Sequence, residues 1–252
     1  MRCVLSASLV LGLILATPPL ARADDDADIK ALIEKAIKAH GGAEKLSKNK
    51  ATTMKFKGKV YAVADGLDYT GELALQTPGK IRTDINFEVM GMKFDVINIV
   101  NGDKGWVSLN GKTEELPKEA VEEGKEQLYA DWVGRIYPLT DKEYKLSPLG
   151  ESKVGEKEAV GVKVSRKDHR DINLYFDKKT SLLLKVEHQI KDYMAGGMEF
   201  SQESLMEDYK EVDGVQTPMK LLVKRDGKNY LDAEITEVKF LEKLDDKTFD
   251  KP

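Results

Sequence analysis

Polar and apolar residues alternate along this chain with two different periods, and the change between them divides it. "DIKALIEKAIKAHGG" (28–42) places Ile29, Leu32, Ile33, Ala36 and Ile37 on one face of a 3.6-residue repeat. Asp26 or Asp28 is placed to cap the start, and Gly41 to stop the helix in a left-handed conformation. "AEKLSK" adds a short further turn. From Ala51 the period becomes two. In "KIRTDINFEV", Ile81, Thr83, Ile85, Phe87 and Val89 alternate with Lys80, Arg82, Asp84, Asn86 and Glu88, as in a strand with one buried and one wet face. "MKFDVINIV" puts Met92, Phe94 and Val96 on one side, but Ile97 and Ile99 leave its later part apolar on both. "EAVGVKVSR", "DINLYFD", "SLLLKVEHQI", "TPMKLLVKR" and "YLDAEITEVKF" repeat the alternation wholly or nearly. Turn signals such as Pro78-Gly79, Asn101-Gly102, Asn110-Gly111, Asp213-Gly214 and Asp226-Gly227 separate the runs.

One segment breaks the alternation. Lys118 to Gly134 reads as helix, with Ala120, Val121, Gly124, Leu128, Trp132 and Val133 able to share a face. Pro117 suits a helix start and Pro138 ends the segment. The order is therefore a helix, about five strands, a helical insert, then six or seven strands. Eleven or twelve strands joined mostly by short hairpins make one antiparallel meander, an α+β domain over residues 24–252. Such a sheet must hide its apolar face. It either closes into a barrel, or curls beneath the two helical segments.

The first 23 residues stand apart. Arg2 precedes an apolar run from Val4 to Ala16, Pro18-Pro19 breaks it, and Ala21-Arg22-Ala23 has small–x–small spacing. This is the pattern of a secretory leader cleaved after Ala23. The run is too short to span a membrane. Cys3, the single cysteine, precedes the run and so is not a lipid-attachment site. The mature chain is expected to carry no thiol, hence no disulfide, thiolate metal site or cysteine nucleophile. Its 38 basic and 44 acidic side chains give a net charge of −6, which argues against nucleic-acid binding.

Candidate chemistry is sparse. His169-Arg170-Asp171 opens like a kinase catalytic loop, but the fifth residue after Asp171 is Phe176 where a metal-binding asparagine is needed. "RKDHRD" reads instead as a polar hairpin tip. His40 lies at a helix C-terminus, where a partly charged imidazole favours the dipole. His188 shares a strand row with Leu182, Leu184 and Val186 and reads as a hydrogen-bonded core or rim residue. The histidines lack metal-site spacing, no GxSxG is present, and "DDDAD" reads as a solvated acidic tail. No cofactor and no enzymatic activity are expected. Seven methionines follow the leader, among them Met54, Met198, Met206 and Met219. Methionine suits walls that repack around apolar ligands. "YMAGGMEF" places Met194 and Met198 about a plausible mobile flap.

Three stretches carry a family resemblance. They are "LYFDKKTSLLLKVE" (174–187), "MEDYKEVDGVQTPMKLLV" (206–223) and the ending "ITEVKFLEKLDDKTFDKP" (235–252). With the leader, the "AHGG" helix end and the helical insert, the chain resembles the LolA/LolB-like periplasmic lipoprotein carriers. The resemblance implies a half-open antiparallel barrel with a helical lid over an apolar cavity for acyl chains. It also implies a strand arginine contacting the lid, for which Arg82 is the nearest candidate. The expected cavity wall is Ile81, Ile85, Phe87, Met92, Phe94, Val96, Leu174, Phe176, Leu184 and Met219, and the expected lid residues are Leu32, Ile33, Leu128 and Trp132. The function expected is a monomeric periplasmic or secreted carrier of a lipid or lipoprotein acyl chain. An envelope protein-binding or stress-sensing module is the alternative, and an unrecognised hydrolase a third.

Overall fold

The computed structural model describes residues 23–61, 66–193 and 196–252. The leader, apart from Ala23 at its expected cleavage point, and Met194 of the expected flap lie outside them. Helix α1 (Ala23–Ala39) begins earlier than its apolar repeat suggested, so Asp26 and Asp28 lie within it and do not cap it. Carboxylates in early helical turns complement the helix dipole. Its buried face is Ile29, Ile33, Ala36 and Ile37. Gly41, at φ 121°, ends it, and the Gly42 amide donates back to the Ile37 carbonyl at 2.9 Å. A Cβ on Gly41 would sit 2.4 Å from the Gly214 carbonyl oxygen, so this turn presses directly on a hairpin. The short α2 (Ala43–Lys48) follows.

The strands are β1 (Ala51–Val60), β2 (Leu67–Gln76), β3 (Lys80–Val89), β4 (Met92–Asn101), β5 (Lys104–Leu109) and β6 (Lys112–Glu115), then after the insert β7 (Lys145–Val154), β8 (Lys157–Ser165), β9 (Ile172–Asp177), β10 (Leu183–Asp192), β11 (Met198–Val212), β12 (Val215–Arg225) and β13 (Lys228–Leu241). They form one 13-stranded antiparallel sheet in the order β6-β5-β4-β3-β2-β1-β13-β12-β11-β10-β9-β8-β7. The count exceeds the expected eleven or twelve because β6 is a four-residue strand, "KTEE", with no apolar row to announce it. It is also one free edge, where short and charged strands discourage further pairing. The other edge, β7, carries Pro148 and a register shift between Pro148 and Gly150. The two edges do not pair with each other, so the sheet is open.

Helix α3 (Lys118–Gly134) is the insert. It packs on β4 and β5 near its start and on β9 and β10 farther along. In a flat sheet β5 and β10 would stand roughly 38 Å apart, whereas a helix of this length reaches only about 25 Å. The sheet therefore curls toward α3. Two cores anchor the helix on this inner face. Val121 and Leu128 pack with Leu75 and Val100. Tyr129, Ala130 and Val133 join the α1 face, Val162, Val164, Leu174 and Phe176. The outer face has its own cover. Ile99 points away from Val100 and is fully buried on the face closed by a C-terminal 3-10 turn, Asp246–Phe249. Phe249 is fully buried, and its carbonyl accepts from Asn101 Nδ2 at 3.2 Å. That accounts for a strand apolar on both sides.

Candidate functional site: a cavity beneath helix α3

Between the two anchoring cores the inner face of the central strands stays unfilled. A cavity of about 370 Å³ lies there. Its floor is Thr52, Met54, Leu73, Leu75, Met206, Leu221, Ile235 and Phe240, and its roof is Gln127, Ala130, Asp131, Gly134 and Arg135. The floor is mainly apolar because β1, β2, β12 and β13 each send alternate residues inward, and most of those positions hold apolar side chains; Thr52, Gln202, Ser204 and Thr217 add polar groups to the strand lining. A bulge near Lys55 and Phe56 shifts the β1–β13 register, which keeps Ile235 and Phe240 in the same wall.

The roof is fastened by polar contacts from the β8–β9 turn. His169 Nδ1 lies 2.8 Å from Glu126 Oε1, and its ring stacks on Tyr129 with centroids 3.8 Å apart. The Arg170 amide donates to Glu126 Oε2 at 3.1 Å, and its guanidinium meets Glu123 Oε2 at 2.5 Å. Burial raises the Glu123 pKa, but hydrogen bonds from Arg170 and its neighbours hold it below the ordinary value. The hairpin tip bearing His169-Arg170-Asp171 is thus the seat of α3. At the far end of the helix, Arg135 donates to the Asn49 carbonyl and, at 3.3 Å, to Thr52 Oγ1. This ties the roof to the start of β1.

Ionisable groups around the cavity respond to their burial. Asp131 keeps an accessible carboxyl although protein encloses it, because it faces the cavity. Desolvation raises its pKa to about 6, only partly offset by Arg135 one turn along. Burial lowers the Arg135 pKa, against the attraction of Asp131. His188 is 8% exposed, and burial lowers its pKa to about 4, so it is neutral at pH 7. His40 is also buried with a lowered pKa, contrary to the helix-dipole role read from sequence. It lies 2.8 Å from the Ala36 carbonyl through Nδ1, and its Nε2 accepts the Leu183 amide at 3.3 Å. A neutral imidazole fits that bridge, because Nε2 must be bare. Tyr209 completes the wall by donating to the Leu183 carbonyl at 2.6 Å.

The residues expected from sequence fall elsewhere. Leu174 and Phe176 lie in the close-packed core under α1, and Leu184 is buried outside the cavity lining. Ile81 packs beside Leu75 and Val100. Phe87 and Phe94 stack with centroids 5.3 Å apart and border a broad open groove of about 910 Å³, lined mainly by polar side chains of the outer face. Ile85 and Val96 pair across β3 and β4, outside the cavity lining. Met219 is half-buried and does not line the cavity. Met92 is exposed. Among the methionines, Met54 and Met206 do line the cavity. Of the expected lid residues, Ile33 and Leu32 belong to the α1 core, Leu128 to the other anchor, and Trp132 packs edge-on against Tyr137. Arg82 pairs with Asp84 at 3.0 Å on the outer face, since the alternating register puts it opposite Ile81. The arginine that joins roof to strand is Arg135, carried by the helix end. Among the described residues no group of three or more His, Cys, Asp or Glu is placed to hold a metal ion.

No protein-family profile matches the sequence, and no curated protein is detectably similar to it. Solved structures are. A DUF1329 family protein from Desulfovibrio piger superposes with a TM-score of 0.55 at 13% identity, over 88% of this chain and 97% of that one. A putative outer membrane lipoprotein-sorting protein domain from Vibrio parahaemolyticus gives 0.55 at 11% identity, over 87% and 94%. A LolA superfamily protein from Nitrosomonas europaea gives 0.52 at 11% identity, over 88% and 97%. The chain has a LolA-like fold. At such identities the likeness is one of fold. Within this LolA-like fold, the anchoring pairs Glu123–Arg170 and Glu126–His169 escaped the sequence reading because the partners stand 47 and 43 positions apart and no motif links them.

Proposed function

We propose that this protein is a non-enzymatic carrier that holds an acyl chain of a lipid or lipoprotein in the cavity beneath α3. The observation that carries this reading is a partly open, mainly apolar space left between two packed cores and roofed by a single helix. Its volume, about 370 Å³, sits at the low end of ordinary small-molecule sites, about 300–1,000 Å³. That size favours one chain over several. Binding would come from apolar burial, about 0.8 kcal/mol per methylene, and release from movement of α3 off its polar seat. The LolA-like fold and the leader-like N-terminus support a site of action in the periplasm or outside the cell. Among the described residues no helix is long and apolar enough to cross a membrane.

The alternative, an envelope protein-binding module, draws support from one surface feature. Tyr61, Met90, Met92, Leu109, Tyr193 and Met198 are all exposed, and all lie at the same end of the sheet. Native mass spectrometry after incubation with an envelope lipid extract separates the readings. A carrier retains about one lipid adduct per chain; a chain recovered free of lipid under these conditions overturns the carrier reading.

A further inference from the structure

The cavity has one end shut and one end open. At the shut end Leu183, Val215 and Thr217 are 3%, 5% and 5% exposed. The β11–β12 hairpin closes there on the end of α1, where the Gln216 amide donates to the His40 carbonyl at 3.1 Å. Two rings form the wall. His40 and Tyr209 meet edge to face with centroids 5.8 Å apart. Both are fastened to Leu183, His40 by accepting its amide and Tyr209 by donating to its carbonyl. Neighbouring polar groups are also paired within the protein. Thr217 Oγ1 donates to the Val215 carbonyl at 3.2 Å, and Arg135 donates to Asn49 and Thr52. At the opposite end Leu73, Leu221 and Ile235 are only half-buried. From Ile235 the register carries the apolar face on through Phe56 and Gly71 to Ile85 and Val96. Between the ends lie Met54 and Met206, which repack readily around a guest, whereas rings pinned by buried hydrogen bonds do not.

We infer that the His40–Tyr209 wall sets the longest acyl chain this cavity accepts, with the tail end against the two rings and the head at the open end. The reverse orientation would leave a head group among polar atoms that are already paired, and a buried polar group without a partner is costly. Leu183 and His188 line the cavity five residues apart along β10, as do Ile235 and Phe240 along β13, which gives a depth of about 17 Å. An extended chain of single bonds advances about 1.2 Å per bond, so about 14 carbons fill that depth. Truncating Tyr209 to alanine removes one ring of the wall and lengthens the space at this end. The inference rests on the carrier reading and fixes which chains that carrier takes.

Displacement of a bound fluorescent dodecyl amphiphile by decanoyl, lauroyl, myristoyl, palmitoyl and stearoyl lysophosphatidylcholine tests it, each kept monomeric. In the unmodified protein affinity rises about 4-fold per added methylene up to the myristoyl chain and then stops rising. In Tyr209→Ala the rise continues to the palmitoyl chain or beyond, and retained binding of the lauroyl chain shows that the variant folds. Tyr209→Phe, which keeps the ring and loses the hydroxyl, breaks at the unmodified length. Where Tyr209→Ala does not fold, the milder Tyr209→Leu is read in the same way. Affinity that climbs unbroken to the stearoyl chain in the unmodified protein, or a break at the same length in the truncated variant, overturns the inference and leaves the carrier reading standing. No binding of any of these chains overturns both.

Discussion

Asp131 sits on α3 as an exposed residue whose side chain lines a mainly apolar cavity. Its pKa, raised by desolvation from 3.8 to about 6, fixes how it acts on stability. The unfolded chain loses this proton at lower pH than the folded one. The native state is therefore progressively penalised as pH rises from 3.8 to about 6, and the penalty is constant above that window. Arg135 is the charged group that offsets it. Asp131→Asn is expected to melt higher than the unmodified protein at neutral pH, with the difference closing below the ordinary carboxylate value. Thermal unfolding followed by circular dichroism across this range checks it; an equal or lower melting temperature at neutral pH contradicts the desolvation of this carboxyl. A residue kept at such a cost is more readily understood as part of a binding site than of a packing core.

At the scale of elements, α3 is the part that decides whether the cavity exists. Its bounds were legible from the apolar spacing and from Pro117, and so were the strands that alternate cleanly. What the sequence did not show was how α3 is held. His169-Arg170-Asp171 read as a solvent-facing turn because it joins two alternating strands and is wholly polar. Its partners, Glu123 and Glu126, look equally like a wet helix face. Only the curl of the sheet brings the two together. Arg170→Ala leaves the Glu123 carboxylate, mostly buried, without its main donor. The expected loss is about 2 kcal/mol of stability, read by urea denaturation, with faster amide hydrogen exchange along 118–134. A loss below about 0.5 kcal/mol, in the range of an ordinary exposed pair, would mean that the turn does not anchor the helix.

For the whole molecule, the family cues in the sequence prove to be fastening points of the fold. Asp177 accepts the amides of Lys179 and Thr180 at 2.7 and 2.9 Å, which shapes the β9–β10 turn. Tyr209 to Pro218 forms the hairpin that meets α1 and walls the cavity. The Phe249–Pro252 ending closes the outer face, where Thr113 donates to the Pro252 carbonyl at 3.2 Å. These signals specify an open, curled sheet under helices. They do not specify which strands leave the space, because the same one-faced alternation serves a filled core in β8–β10 and an empty chamber in β1, β12 and β13. The difference lies in what covers each strand: α1 and its core fill one side, and α3 bridges the other.

In the proposed carrier, an acyl chain occupies the space between α3 and the central strands. Leu221 stands on the floor of that space, so Leu221→Trp fills it from within, while Met90→Ala trims the exposed rim. Titration of the three proteins with a fluorescent dodecyl amphiphile is the direct test. One site per chain is expected, with affinity reduced about 10-fold or more in Leu221→Trp and unchanged in Met90→Ala. Undiminished binding by a correctly folded Leu221→Trp protein, or binding lost on Met90→Ala, would contradict it.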